Sequence, residues 1–278
     1  MDFFRAVVLG VLQGLTEFLP ISSSAHLAIF PRFFGWDDPG ASFTAVIQIG
    51  TELAVLIYFW RDIVTIATGW LRGLVDRDAR AALEWRMGWF VIVGSVPIVI
   101  LGVLFQDTIK HEFRRVALIA VALIVFGLVL GLAERVGRKN RPIEELTWNH
   151  AILFGLAQAC ALFPGVSRSG GTISMGLFLG YERRAATRYA FLLAIPAVLG
   201  AGVFSLKDIP GGENAYGTVP TIVATVVSFA VGLAIIHWLL EYVSKKSYTP
   251  FVLYRVGLGV LVLVLVGTGA LGSTVAVS

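Results

Sequence analysis

Apolar residues run almost unbroken at six places along the chain, roughly 43–60, 87–105, 116–134, 187–206, 219–240 and 252–272. Each run is close to the ~20 residues a helix needs to cross ~30 Å of hydrocarbon. Three fall in each half, so the pattern predicts six transmembrane helices. Four shorter apolar pieces, at 3–19, 25–36, 149–163 and 169–180, form two pairs, each joined by a polar, serine-rich turn. Three of the four are too short to span, which predicts two re-entrant helical hairpins. Irregular backbone at membrane depth persists only where protein or a wet cavity satisfies its amides. Both turns are therefore expected inside the protein.

The two turns are versions of one another. At a constant offset Gly10 meets Gly155, Gln13 meets Gln158, Phe18 meets Phe163, Ser22 meets Ser167 and Ser24 meets Ser169, with the proline slipped by one. A repeat of this kind predicts a single membrane domain, 1–278, built from two halves of about 1–140 and 145–278. Because three spans per half is an odd number, the second half enters the bilayer from the opposite side. The expected fold is thus an all-α polytopic membrane protein with inverted-topology repeats, whose polar hairpin tips meet near the bilayer centre.

Composition supports this class: 57% of residues are hydrophobic and only 14% charged, against about a quarter charged in soluble domains. A net charge of +4 and a pI near 9.4 would suit a nucleic-acid partner, but the placement of the basic residues suits a bilayer instead. Loops near 61–86, 135–148, 181–188 and 241–251 hold fourteen lysines and arginines, whereas the other face holds Arg5, Arg32, Lys110, Arg114, Arg115 and Lys207. The positive-inside rule makes the first set cytoplasmic and puts both termini outside a plasma membrane. Met1 to Phe18 has no small-x-small cleavage site and carries Glu17 where a signal peptide stays apolar, so it reads as uncleaved mature structure. The single cysteine, Cys160, excludes an intramolecular disulfide and reads as helix packing.

The first turn carries Gln13, Glu17, Ser22, Ser23 and His26. Gln13 and Glu17, four apart, share a helix face, and Pro20 stops that helix. The serines can simply cap the next helix. Glu17 can be a neutral carboxyl bonded to a neighbour, but intramembrane carboxylates are costly and mark function. His26 lies one helical turn past Ser22 and Ser23, so its imidazole is expected beside their hydroxyls, as nucleophilic catalysis requires.

The second turn, Pro164 to Thr172, adds Ser167, Arg168, Ser169, Gly170 and Thr172. Glycines and small hydroxyl residues opening a helix leave amides to face an anion, and Arg168 adds a fork that holds phosphate oxygens in two bonds. Arg168 needs a partner, either Glu17 or an anionic substrate. Together the turns predict a site for hydrolysing or transferring a phosphate carried on a lipid. Glu17 and Gln13 are also the expected ligands of a divalent cation, Mg2+ or Ca2+, held against phosphate oxygens.

The pattern Gly-x-x-Gln-Gly-x-Thr-Glu-Phe-Leu-Pro-x-Ser-Ser-x-x-His at 10–26 and Pro-Gly-x-Ser-Arg-Ser-Gly-x-Thr at 164–172 resembles the two signatures of the bacterial undecaprenyl-diphosphate phosphatases, also called bacitracin-resistance proteins. The resemblance covers nearly the whole chain. It implies hydrolysis of undecaprenyl diphosphate to undecaprenyl phosphate and inorganic phosphate, which recycles the lipid carrier of cell-wall synthesis. It assigns metal and catalysis to Gln13 and Glu17, nucleophile and acid-base roles to Ser23 and His26, and phosphate binding to Ser167, Arg168 and Thr172. Many members have Glu where this chain has Gln13, which removes a carboxylate from the metal site. The rival class is a polyprenyl-phosphate transporter or flippase. A lipid phosphate phosphatase is disfavoured because the one Arg-Pro pair, Arg141-Pro142, follows the Ser-x-x-His element. Direct attack by water competes with attack by Ser23, Glu52 is left open between the cavity and Gln48, and the assembly is left open, a homodimer included. His111, His150, His237 and the mixed charges from Asp76 to Arg80 are read as loop or interface residues.

Overall fold

In the computed structural model residues 2–105, 115–205 and 216–272 are described; Lys110, His111, Arg114 and Lys207 lie outside them. The described residues fold into eleven α-helices: α1 (Asp2–Phe18), α2 (Ser23–Phe33), α3 (Ala41–Tyr58), α4 (Trp60–Val75), α5 (Leu83–Leu104), α6 (Val116–Val136), α7 (Trp148–Ala159), α8 (Arg168–Phe178), α9 (Arg183–Ser205), α10 (Thr218–Lys245) and α11 (Thr249–Gly267). The four short apolar pieces are α1, α2, α7 and α8. Each pair breaks at its proline-serine turn, where a ring without an amide hydrogen ends one helix and a hydroxyl starts the next.

Four helices, α5, α6, α10 and α11, are long and apolar enough to cross a membrane, and a fifth is added if the bent pair α3–α4 counts as one span. Their outward faces are apolar: Val99, Ile100 and Val103 on α5, Leu128 and Leu132 on α6, and Leu253 and Val264 on α11 are all exposed. So much contiguous apolar surface is stable only against lipid. The protein is an all-helical, multi-pass membrane protein.

The stretch 60–75, expected as part of a cytoplasmic loop, is instead helical. α4 turns 68° from α3 and lies on α5, where Trp70 stacks on Trp85 and meets the edge of Trp89. Gly73 and Gly88 make room, since a Cβ on either would fall within 3 Å of Trp85 or Trp70. Its apolar residues alternate with Arg61, Asp62 and Arg72 at helical spacing and not as an unbroken run, which is why it reads as a loop.

Packing follows a reciprocal pattern. α1 and α3 rest on α10, while α7 and α9 rest on α5, and α6 pairs with α11 as α3 pairs with α9. Gly10 lets α1 press on α10, where an added Cβ would sit 2.4 Å from the Ala224 carbonyl oxygen. Gly155 lets α7 press on α5, with the Gly94 carbonyl oxygen 2.3 Å from its would-be Cβ. A methyl at either forces two helices apart. Gly155→Ala is expected to cost about 1–3 kcal/mol, read as a lower thermal midpoint in detergent. Gly257→Ala on α11, with nothing within 4 Å of its would-be Cβ, should leave the midpoint unchanged or raise it.

Candidate active site

The two turns share one geometry. Ser22 (φ 75°, ψ 97°) and Ser167 (φ 71°, ψ 119°) both take a positive φ that serine rarely adopts. Each caps the helix it opens: the Ser22 hydroxyl accepts from the Ala25 amide at 3.4 Å and the Ser167 hydroxyl from the Gly170 amide at 3.1 Å. Each also meets the hydroxyl two residues on, Ser24 at 3.1 Å and Ser169 at 3.2 Å. The turns touch, since Ser169 donates to the Leu19 carbonyl at 3.1 Å.

At this contact Glu17, from the end of α1, meets Arg168, from the start of α8. Arg168 Nη2 lies 2.5 Å from Glu17 Oε1. The other carboxylate oxygen accepts from the Ser23 hydroxyl at 2.6 Å and from Gln13 Nε2 at 3.2 Å. Gln13 also donates to Thr51 on α3, while its own Oε1 is buried without a partner. The Glu17 side chain is only 11% exposed, so losing one partner of the pair would strand a charge at a cost of about 3–5 kcal/mol.

Beside the pair is a cavity of about 20 Å³, bounded by Glu17, Thr51, Glu52, Arg168 and Ser169 on one side and by Phe18, Val55 and Phe191 on the other. That volume admits one water and no phosphate. Glu52 lines it and also accepts from Gln48 at 3.2 Å, so both readings of this residue hold together.

His26 is close by but differently engaged than its spacing predicts. Its Nδ1 lies 2.7 Å from the Ser22 carbonyl, an acceptor only, which fixes the hydrogen on Nδ1. Its Nε2 lies 2.7 Å from the Tyr254 hydroxyl, and the two rings stack. The expected contact between His26 and the Ser23 hydroxyl is absent. Ser23 turns to the carboxylate, and the imidazole is drawn to a hydroxyl from a helix remote in sequence. Thr172 is fully buried, and its hydroxyl donates to the carbonyls of Arg168 and Ser169, so it steadies α8 from behind.

One functional group escaped the sequence reading. Arg255, in the middle of α11, is completely buried and donates to Pro20 O at 3.0 Å, Gly165 O at 2.8 Å and Val166 O at 2.9 Å, and Leu123 O at 3.3 Å. It therefore holds carbonyls of both turns. A charge inside an apolar run was the signal that could have found it.

The profile of the bacitracin resistance protein BacA family matches residues 6–261. The chain belongs to this family. Among BacA relatives, an undecaprenyl-diphosphatase of Nocardioides sp. is 63% identical over 98% of this chain and 100% of its own length. One from Thermobifida fusca is 52% identical over 98% and 92%, and undecaprenyl-diphosphatase 2 of Agrobacterium fabrum is 55% identical over 98% and 99%. The BacA match spans both turns and runs past Arg255, so the whole site lies within the family region.

In this BacA chain the Ser167 cap can be tested apart from chemistry. Ser167→Ala loses the hydroxyl and keeps the positive φ, and should cost about 1–2 kcal/mol. Ser167→Gly, which tolerates that φ, should cost clearly less in thermal unfolding of the detergent-solubilised protein.

Proposed function

We propose that this membrane protein hydrolyses undecaprenyl diphosphate to undecaprenyl phosphate and inorganic phosphate, recycling the lipid carrier used in peptidoglycan synthesis and so conferring bacitracin resistance. The observation that carries this is the meeting of Glu17, Ser23 and Arg168 within hydrogen-bond reach, from two turns 151 residues apart. Arg168 exchanges Glu17 for the diphosphate oxygens, a bidentate charge-assisted contact. Glu17, released, accepts the Ser23 proton across their 2.6 Å bond. The Ser23 oxygen then bonds to the terminal phosphorus as the bond from that phosphorus to the bridging oxygen breaks, and undecaprenyl phosphate leaves with the electron pair. Water cleaves the phosphoserine, inorganic phosphate departs and the hydroxyl proton returns. His26, held beside this path by Ser22 and Tyr254, takes a proton from the water that cleaves the phosphoserine. The cavity sized for one water beside Glu17 favours a second route, direct attack by water with Glu17 as base.

Oxygen donors fit a divalent cation. The unpartnered Gln13 Oε1 and the carboxylates of Glu17 and Glu52 on one cavity are hard ligands suited to Mg2+ or Ca2+. Among the described residues no three His, Cys, Asp or Glu side chains converge, so such an ion would complete its shell with water and phosphate oxygens. When bound it would neutralise charge on the phosphate.

The fold is further proposed to be a six-span inverted repeat with re-entrant hairpins α1–α2 and α7–α8 and both termini outside. The matching φ values at Ser22 and Ser167, the exchanged packing partners of α1 and α7 and the basic cytoplasmic loops support this.

Purified protein in detergent is expected to release inorganic phosphate from undecaprenyl diphosphate; a transporter would release none. Glu17→Gln and Arg168→Ala should each lower kcat by about 10²–10³. Rapid quenching of wild type and His26→Ala should trap phosphoserine at Ser23. Absence of that species, with Ser23→Ala still active, would establish direct water attack. Chelation with EDTA should abolish phosphate release, and Mg2+ or Ca2+ should restore it.

A further inference from the structure

α11 brings two adjacent polar side chains, Tyr254 and Arg255, to the site. Arg255 reaches carbonyls on both turns, 235 residues away at Pro20 and 90 away at Gly165. Tyr254 reaches His26 across 228 residues. The Arg255 contacts are specific in kind. One is to Pro20 O just beyond α1, two are to Gly165 O and Val166 O in the turn that follows α7, and the fourth is to Leu123 O within α6, so the cation meets main-chain carbonyl dipoles. Arg255 makes no ion pair with a carboxylate among the described residues. The fit is tight, because a Cβ on Gly170 would lie 2.6 Å from Arg255 Nη1. A planar fork with five donors can span three chain segments at once, and a lysine ammonium cannot.

We propose that Arg255 is the positioning residue of the reaction: its guanidinium fixes the first turn against the second, and so sets Glu17 and Ser23 at the right distance from the phosphate that Arg168 holds. Tyr254 acts from the same helix as a second positioning residue, aiming the His26 ring. Neither touches the phosphate. The proposal rests on the phosphatase reading, with the chemistry divided between the turns. It adds that their mutual register comes from a third element.

The test reads register and turnover separately. The exposed native Cys160 on the second hairpin and Ser24→Cys on the exposed side of the first take a pair of nitroxide labels on full-length protein in detergent. Dipolar electron paramagnetic resonance then reports the spread of distances between the turns. Arg255→Lys is expected to broaden that distribution. In the unlabelled protein it should lower kcat for undecaprenyl diphosphate at least tenfold with KM changed less than threefold, because Arg255 holds main-chain carbonyls and not the substrate. Tyr254→Phe, at a half-exposed site that tolerates the change, should lower kcat several-fold and leave the distribution as in wild type. An unbroadened distribution in Arg255→Lys overturns the proposal, whatever happens to kcat. If Arg255→Lys fails to fold, Tyr254→Phe decides: wild-type kcat there overturns the part assigned to α11. Should wild type release no phosphate, the phosphatase reading fails, and the spin-label comparison still shows whether Arg255 sets the register.

Discussion

Two interruptions of helical backbone, at Ser22 and Ser167, are what the rest of the molecule is arranged to permit. Each leaves carbonyls at the end of one half-helix and amides at the start of the next, buried among packed helices where both need protein partners. The amides are met by the capping serine hydroxyls and the carbonyls by Arg255. Positive φ at a serine costs on the order of 1–3 kcal/mol, and the surrounding helices must hold it there. In return, the first turns of α2 and α8 open beside the same spot, where a side chain from each turn can meet a phosphate.

The charges at that spot hold one another. Arg168 occupies Glu17, Ser23 completes its hydrogen bonding, and the adjoining space is too small for more than a water. Such a pair keeps a largely buried arginine and carboxylate tolerable. It also lets an entering diphosphate find a partner ready to be exchanged, so no bare charge need be created. Chemistry in so dry a site gains from strong local electrostatics.

Much of this was legible in the residues. The apolar runs located the long helices, and Pro20, Pro164 and their serines marked the hairpin breaks to within a few residues, because proline and serine act locally. The meeting of Glu17 and Arg168 could be anticipated from the repeat and the cost of burying either alone. What stayed hidden depends on distant partners. The three-residue spacing from Ser23 to His26 put imidazole and hydroxyl on one face, but Tyr254, competing from 228 residues away, took the ring nitrogen. Arg255 disappeared into an apolar stretch because run averages count one charge as noise. α4 was missed for the opposite reason, since an amphipathic pattern at the surface lacks the unbroken run that marks a span.

The long reach of the Glu17–Arg168 pair bears on how the protein is made. At ~5–20 residues per second, the 151 residues between them take about 8–30 s to synthesise, and Arg255 emerges later still. Throughout that interval the first hairpin carries a carboxylate without its arginine and a Pro20 carbonyl without its donor. The first half cannot complete its own site, and the last helix to be made joins both turns.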